Sequence, residues 1–311
     1  MRKIGQIESE EHEVAKKQWL GGLCGILTGV CWGISGVFSQ YLYGATGMTS
    51  QWFVAVRLAC SGLLMMLWVL WKKREELVAL LQHRKHLARA IITGVLGTML
   101  FQMTFYGTVA YSNAGTATIF QYLCPVLVMG YVCLRDRRIP RCVEVICMAM
   151  AVLGIFLIST HGNIHSLVLT PKALILGLAC AFFMMLCTVL PEKLYEYYST
   201  LTITAVSLLS GGVVAMLWVR PWTLAVHFQM ISLTCLVLAI ACGSVLAYVV
   251  YGVAIKMIGA SKASLFSCSE IVCAAVLSVA FLHSAFGWWD LAGCVLIVAT
   301  VFLNNRKTMV G

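Results

Sequence analysis

Charged residues are scarce in this chain, and the places where they are missing are informative. Only 11% of the 311 residues are charged and 61% are hydrophobic, with a mean hydropathy of +0.91. No water-soluble fold of this size needs so much apolar material, which excludes an ordinary soluble domain. The net charge of +10 is therefore better explained by membrane topology than by nucleic-acid binding.

Ten apolar stretches lie between the charged segments, and each is long enough to cross a hydrocarbon core of roughly 30 Å. The predicted spans are residues 20–43, 50–71, 87–107, 113–133, 141–159, 171–190, 200–219, 230–254, 259–281 and 285–303. These runs are continuous, whereas β-barrel strands alternate between apolar and polar residues. Because backbone groups in lipid must pair internally, each span is predicted to be a helix.

Motifs of membrane enzymes and pumps are also absent. The chain has no HExxH sequence, no pair of intramembrane aspartates, no nucleophile elbow and no Walker sequence. Its 14 cysteines form no Cys-x-x-Cys pair and lie mostly alone within apolar stretches, as packing residues do. His161 and His165 are separated by a predicted loop, which disfavours a metal site. We therefore predict no enzyme activity, no metal and no cofactor.

The distribution of basic residues predicts the orientation of the spans. With a cytoplasmic N-terminus, the inside segments hold 19 lysines and arginines, whereas the outside segments hold only Lys172 and Arg220. Such an excess is expected on the cytoplasmic side of a membrane. An even number of spans then places the C-terminus inside as well. Residues 1–19 are predicted to form a polar cytoplasmic leader, and residues 305–311 a cytoplasmic tail.

The chain also repeats itself weakly. Shifting residues 113–157 forward by 146 positions, without gaps, aligns seven identical residues and places Glu144 opposite Asp290. The two halves, residues 20–159 and 171–304, hold five spans each. Because five is odd, the second half must insert with the opposite orientation. Inverted repeats are characteristic of carriers that bind substrate near the membrane midplane.

Short motifs follow one another along both halves of the chain. They are LTGVCWG at 27–33, Arg57-Leu58, Tyr106, the run from Ala110 to Ala117 before Pro125, Tyr251, the run from Ile258 to Ser264 before Glu270, and Gly293. Their order and spacing resemble the EamA-type family of the drug/metabolite transporter superfamily. The resemblance covers almost the whole chain after the leader. It implies an all-α polytopic membrane protein with ten transmembrane helices in two inverted five-helix repeats.

The same resemblance implies carriage of small metabolites, often amino acids or related compounds, and commonly outward. One feature departs from the family pattern. The family often has Glu-Pro in the ninth span, whereas Ile271 follows Glu270 here. A proline-induced kink is therefore not expected at that position, although Pro125 remains at the pseudo-symmetric one.

Two charged residues interrupt the apolar spans. Glu270 lies eleven residues beyond Gly259, roughly 16 Å along its helix and close to the midplane. A carboxylate at that depth must be paired or hydrated. Glu270 is therefore predicted to be a proton or cationic-substrate site, with a structural interhelical hydrogen bond as the alternative. For Arg57, the alternatives are snorkelling, binding of a substrate carboxylate, pairing with Glu270, or a structural role in the bundle.

Polar aromatic and amide side chains complete the predicted lining, because buried hydroxyls and amides should face the bundle interior. The candidates for substrate or proton binding are Glu270, Arg57, Trp32, Gln102, Tyr106, Gln121, Tyr248 and Tyr251, with Tyr122 as a further lining residue. For each of these aromatic and amide residues the alternative is an interfacial anchor or a satisfied core contact. A stripe of glycines at 21, 25, 29 and 33 predicts close helix packing, either within the bundle or at a dimer seam.

These features together predict a secondary transporter that exports small metabolites by alternating access around a midplane site. A flippase of lipid-like amphiphiles is the alternative. The expected location is the bacterial inner membrane, with both termini cytoplasmic. The expected partners are a small-molecule substrate and the lipid bilayer, without nucleic acid, and the protein is expected to be a monomer or homodimer.

Overall fold

The protein is helical, as the unbroken apolar runs predict. The structure is a computed structural model, which describes residues 2–112, 114–163, 165, 170–224, 226, 229–282 and 287–306. The α-helices are α1 (Arg2–Thr46), α2 (Ser50–Lys72), α3 (Arg74–Gln82), α4 (Arg84–Ile92), α5 (Leu100–Tyr111), α6 (Ala114–Gln121), α7 (Cys124–Arg135), α8 (Cys142–Thr160), α9 (Pro171–Val189), α10 (Thr200–Val219), α11 (Met230–Ile240), α12 (Ala247–Phe266), α13 (Ser269–Leu282) and α14 (Trp288–Arg306). No β-strand occurs in these described ranges.

Seven helical segments in the described part of the chain are long and apolar enough to cross a membrane. They are Lys16–Thr46, Ser50–Lys72, Arg84–Val109, Thr116–Arg135, Pro171–Glu196, Thr200–Thr223 and Met230–Phe266. Two shorter apolar helices, Cys142–Ile158 and Trp288–Thr300, lie within the fifth and tenth predicted spans. The chain is therefore an all-helical membrane protein.

The eighth and ninth predicted spans are joined by a kink. α12, from Ala247 to Phe266, consists of two helical parts that meet at its one non-helical residue, Gly259, with φ of +80°. Glycine adopts such a φ at little cost because it has no Cβ. The chain therefore changes direction at the predicted boundary without a separate loop.

Two helices are broken at corresponding places in the halves. α6 is followed by a short break before α7, and α12 by a short break before α13; after the shift of 146 positions the two breaks differ by one residue. Pro125 lies in the first turn of α7, where its missing N–H is tolerated. α13 begins without a proline and carries Glu270 in its first turn. The helix break in the second half therefore does not depend on a proline.

A short π-helical segment also occurs in each half. Thr93–Met99 precedes α5, and Ala241–Leu246 precedes α12. After the same shift these segments overlap, so the two halves share this irregularity as well. π-Helical segments are frequent at functional sites because they reorient the side chains that follow.

Helices α2 and α10, the second and seventh predicted spans, cross closely at two glycines. A Cβ added at Gly62 would lie about 2.5 Å from the backbone of Leu209, and a Cβ at Gly212 about 2.5 Å from the backbone of Ala59. Moving three residues along one helix thus moves the contact three residues backward along the other. α2 and α10 are therefore antiparallel.

Helices α8 and α14, the fifth and tenth predicted spans, repeat this arrangement. A Cβ at Gly154 would lie 2.9 Å from Ile297, and a Cβ at Gly293 would lie 2.6 Å from Ile158. The sequence order of these contacts is again reversed between the two helices. Two pairs of corresponding helices therefore pack against each other in antiparallel fashion.

The acidic pair aligned by the repeat has one structural role. The Glu144 carboxylate accepts a hydrogen bond from the backbone N–H of Arg141 at 2.9 Å, and Asp290 accepts one from Gly287 at 2.7 Å. Each residue thereby caps the first turn of its helix, α8 or α14. Because Arg141 and Gly287 are also 146 positions apart, the alignment pairs both the capping and the capped residues.

The glycine stripe of α1 packs inside the bundle. A Cβ added at Gly25 would lie 2.7 Å from Phe266, and one at Gly33 would lie 2.9 Å from the carbonyl oxygen of Glu270. The stripe therefore contacts α12 and α13 along its length. Its interpretation as tight packing within the bundle is confirmed, and the face is not free to form a dimer seam.

Candidate substrate-binding cavity

A cavity of about 610 Å³ lies between α1, α2, α5, α6, α12 and α13. Seven of the eight candidate residues line it: Trp32, Arg57, Gln102, Tyr106, Gln121, Tyr248 and Glu270. The eighth, Tyr251, is not part of the lining, although its ring centroid lies 5.2 Å from that of Trp32. Residues more than 200 positions apart are therefore brought to one place, around the helix breaks and π-helical segments.

Arg57 is the only basic residue among the described residues that line the cavity. It is 9% exposed, and its guanidinium lies 5.1 Å from the centre of the Phe53 ring. Nη2 donates to the Gln102 side-chain oxygen, and Nη1 donates to the Ser35 hydroxyl at 3.4 Å. These contacts tie α2 to α1 and α5, which supports the structural interpretation, while Nε has no hydrogen-bond partner.

Gln102 is held in one orientation by two neighbours. Its amide nitrogen donates to the Tyr248 hydroxyl at 3.1 Å, so its amide oxygen is left to accept from Arg57. Gln102 and Tyr248 are 146 positions apart, which makes them corresponding residues of the two repeats. Tyr248 also packs edge-on against Trp32, with ring centroids 5.5 Å apart. This contact therefore lies where the two halves meet.

Glu270 reaches the cavity from the first turn of α13, where the helix dipole favours a negative charge. Its Oε2 accepts a hydrogen bond of 2.6 Å from the Tyr122 hydroxyl. Tyr122 comes from the break between α6 and α7, is 2% exposed and does not line the cavity. The hydrogen bond thus joins the two broken helices, one from each half.

Glu270 and Arg57 do not form an ion pair in this structure, which describes both side chains. Each has polar partners of its own, the former Tyr122 and the latter Gln102 and Ser35. The cavity therefore carries one acidic and one basic side chain that are not in direct contact. The pairing considered from sequence is absent in this conformation.

The cavity extends toward one end of the bundle. Its lining runs from Glu270 and Tyr248 to Met48 and Ser50, which flank the turn between α1 and α2. Val109, near the C-terminal end of α5, also lines this part. Polar and aromatic side chains are therefore reachable from the end of the bundle at which α2 begins.

The opposite end is filled by successive layers of side chains. On the side of the Trp32–Tyr251 contact that faces away from the cavity, the Tyr251 hydroxyl lies 2.9 Å from the Thr188 hydroxyl. Farther along, Glu192 pairs with Arg135 and accepts from the backbone N–H of Ala260 at 3.3 Å. A separate polar hollow of about 530 Å³ at this end includes Arg135 and Glu192 in its lining. An ion pair between the halves thus lies beyond the closed end.

Comparison with known proteins agrees with this arrangement. The EamA-like transporter family matches residues 19–160 and 171–306, two segments that coincide with the two predicted halves. The chain belongs to this family. The uncharacterized inner membrane transporter YicL of Salmonella typhimurium is 32% identical over 283 residues, covering 89% of this chain and 92% of its own. The predicted family is thus confirmed, and with it a role in membrane transport.

The fold of this chain is also seen in a solved crystal structure. That structure matches with a TM-score of 0.76 over 93% of this chain and 98% of its own, at 15% sequence identity. At this level of identity, the similarity concerns the fold alone.

Sequence reasoning missed the residues that support the two charges. Ser35 contacts Arg57 and donates to the backbone oxygen of Ala239 at 3.1 Å, but a serine in an apolar span carries little sequence signal. Tyr122 was predicted as lining and is instead the buried partner of Glu270. A buried hydroxyl is recognisable from sequence, but its partner 148 residues away is not.

Proposed function

We propose that this EamA-family chain is a secondary transporter of small metabolites in the bacterial inner membrane, exporting them by alternating access. The observation that carries the proposal is the central cavity of about 610 Å³, which gathers Glu270, Arg57 and five other candidate residues. A pocket of this size suits a small molecule. The cavity reaches one end of the bundle and is closed toward the other, as alternating access requires of one of its two states.

Ten spans in two inverted repeats are part of this proposal. Seven membrane-length segments, the two shorter helices Cys142–Ile158 and Trp288–Thr300, and the broken helix of the ninth predicted span make up that number. The antiparallel contacts of α2 with α10 and of α8 with α14 support inversion. An axis in the membrane plane would exchange the two halves and thereby relate the two access states.

The proposed topology places both termini in the cytoplasm. The 19 basic residues assigned to that side outnumber the two assigned to the other side. The cavity then reaches the periplasmic end, and the Arg135–Glu192 pair lies at the cytoplasmic end. The structure would accordingly represent an outward-facing state. We retain monomer or homodimer as the expected assembly.

In this mechanism Glu270 binds either a proton or a cationic group of the substrate. Its position in the cavity wall gives it access to water, and Tyr122 provides a hydrogen-bond donor for its ionised form. A carboxylate at this depth is costly unless it is hydrated or paired, so such residues usually have a function. Movement of α13 against α6 and α7 would then change the surroundings of the Glu270 carboxyl group.

The proposal is tested by flux from proteoliposomes. Amino acids and related small metabolites are first screened for efflux, and a transported compound is then followed under an imposed pH gradient. Glu270→Gln keeps the shape of the side chain but cannot titrate. It should fold and bind the compound but lose the pH dependence of flux.

The control is Glu196→Gln, an exposed carboxylate in the polar hollow at the closed end. Its pH response should equal that of the wild type at matched reconstitution. Equal pH response in wild type and Glu270→Gln would reject Glu270 as the coupling residue. No protein-dependent flux of any screened compound would count against this class of substrate.

A further inference from the structure

We propose that Arg57, held by Ser35 and Gln102, is a binding subsite for the carboxylate of a substrate whose apolar body lies against the aromatic side chains of the cavity. This inference rests on the proposed function, since it specifies the class of small molecule that the cavity receives. It assigns Arg57 a binding role in addition to its structural contacts.

The first step is the number of hydrogen-bond donors that Arg57 has available. A guanidinium has five N–H donors, and only two contacts, to Ser35 and Gln102, engage it here. Nε has no partner, although the side chain is 9% exposed and Nε itself is buried. Buried donors of a charged group are costly when they are left unpaired. Nη1 and Nη2 each engage one of their two N–H groups, and Arg57 lines the cavity, so the second N–H of each is available for an acceptor that enters there.

The second step is the rigidity of the guanidinium. Gln102 is fixed by its bond to Tyr248, Ser35 is fixed by its bond to the backbone of Ala239, and Phe53 lies against the guanidinium. These supports come from several helices. Such a preformed fork suits a planar, bidentate acceptor, and a carboxylate is the common example.

The third step concerns charge. Arg57 is the only basic residue and Glu270 the only acidic residue among the described residues that line the cavity. A phosphate group carrying nearly two negative charges would meet a single cation there. A carboxylate carries one charge and matches the single guanidinium. Because Oε2 of Glu270 is bonded to Tyr122 and no ion pair occupies Arg57, the guanidinium is free to meet that group.

The fourth step concerns the rest of the ligand. Six aromatic residues line the cavity: Trp32, Tyr43, Phe101, Phe105, Tyr106 and Tyr248. Aromatic walls favour an apolar or aromatic body, and a few placed polar groups then fix its orientation. The substrate class is therefore a small amphipathic molecule with one carboxylate, rather than a sugar phosphate or a nucleotide.

The experiment measures binding to the purified full chain, without a gradient and without transport. The probes are phenylacetate, its neutral analogue phenylacetamide, 2-phenylethylammonium and inorganic phosphate. Isothermal titration and ligand-dependent thermal shift should show phenylacetate binding at least about tenfold more tightly than phenylacetamide, a difference of about 1.4 kcal/mol. Phosphate should bind more weakly than phenylacetate.

Variants then assign the preference to Arg57. Arg57→Gln should bind acid and amide equally, and Arg57→Lys, which keeps the charge without the fork, should retain only part of the preference. Arg220→Gln, on a basic residue that follows the last residue of α10 and does not line the cavity, should behave as the wild type does. The wild-type comparison of acid with amide needs no variant, so a failure of Arg57→Gln to fold leaves the test intact.

Equal binding of acid and amide by the wild type would overturn the proposal, as would an unchanged preference in Arg57→Gln. Tighter binding of phosphate or of the ammonium probe would overturn the assignment to carboxylates. Failure of this proposal is distinguishable from failure of the proposed function. If the protein prefers phenylacetate but shows no flux, the carboxylate subsite is supported and the proposed transport function is rejected. If it shows flux but no preference for phenylacetate, the transport function is supported and the subsite is rejected.

Discussion

At the level of single residues, the contact between Tyr122 and Glu270 links the two halves through a charged group. The hydroxyl donates at 2.6 Å from a side chain that is 2% exposed, so water cannot easily replace it. A hydrogen bond to a charged group contributes about 1.5–3 kcal/mol. The contact therefore both orients the carboxylate and holds α13 against the break between α6 and α7.

We expect Tyr122→Phe and Glu270→Gln to be coupled in stability. Each single variant should lower thermal stability in detergent micelles, but the double variant should lose less than their sum, with a coupling of about 1 kcal/mol or more. The comparison pair is Tyr195→Phe with Glu270→Gln, since Tyr195 is also buried but lines the hollow at the closed end. Effects for that pair should be additive. Additivity in both pairs would show that the Tyr122 contact contributes nothing measurable.

Single residues also show which parts of the candidate site could be predicted from the sequence. Intramembrane charges and polar aromatics are expensive in lipid, which is why Glu270, Arg57 and Gln102 could be predicted to face a common interior. Tyr251 was predicted to line the cavity because it lies three residues after Tyr248, on the same side of the helix. That spacing does not show how deep in the bundle each residue lies, and only Tyr248 reaches the lining. Partners such as Ser35 depend on which helices touch, and periodicity does not contain that information.

At the level of helices, close crossings at glycine determine how the bundle is assembled. Gly212 on α10 lies so close to the backbone of Ala59 on α2 that a Cβ would approach it to about 2.5 Å. Backbone atoms cannot move aside as the end of a flexible side chain can. This crossing therefore requires the absence of a side chain, as small residues at membrane helix interfaces generally do.

We expect Gly212→Ala to destabilise the protein by about 1–3 kcal/mol, the usual cost of overpacking. The matched control is Gly130→Ala in α7, where an added Cβ would meet no atom within 4 Å. That substitution should be neutral or slightly stabilising, because alanine favours the helix more than glycine does. Thermal unfolding of both variants in detergent measures the difference. Equal effects would mean that α2 and α10 do not approach as closely as described.

The helix breaks show which features could be predicted from sequence and which could not. Span positions followed from hydropathy alone, since each apolar run had to be a helix. No proline-induced kink was expected at the start of α13, because Ile271 replaces the proline that often follows the glutamate, and no other cause of a break was predicted. The kink at Gly259 and the turn at Ser267 and Cys268 redirect this chain instead. Proline is therefore one way to break a helix, and tertiary contacts can maintain a break without it.

At the level of the whole molecule, the weak internal repeat has physical consequences throughout the bundle. The same shift of 146 positions relates the helix caps at Arg141 and Gly287 and the hydrogen-bonded pair Gln102 and Tyr248. Contacts between corresponding residues are expected close to a pseudo-twofold axis. In the proposed inverted-repeat arrangement the candidate cavity adjoins such an axis, and motion that exchanges the conformations of the halves would transfer access from one end to the other.

The proposed orientation predicts which sites a membrane-impermeant thiol reagent can reach in a variant without native cysteines. Gly36 lines the cavity, is exposed, and has room for a side chain, since an added Cβ would meet nothing within 4 Å. Gly36→Cys should react in right-side-out vesicles, because the cavity reaches the periplasmic end. Lys85→Cys and Glu196→Cys, at exposed positions assigned to the cytoplasm, should react in inside-out vesicles only.

These three cysteines separate topology from conformation. Reaction of Lys85→Cys only in right-side-out vesicles would reverse the assigned orientation of the whole chain. If Lys85→Cys and Glu196→Cys react as expected but Gly36→Cys reacts only in inside-out vesicles, the orientation stands and the resting protein faces inward.

Glu192→Gln then provides the final step, since loss of the Arg135–Glu192 pair removes an ion pair that joins the halves at the closed end. It should raise the reactivity of Gly36→Cys from inside and lower it from outside, because opening one end of an alternating-access carrier closes the other.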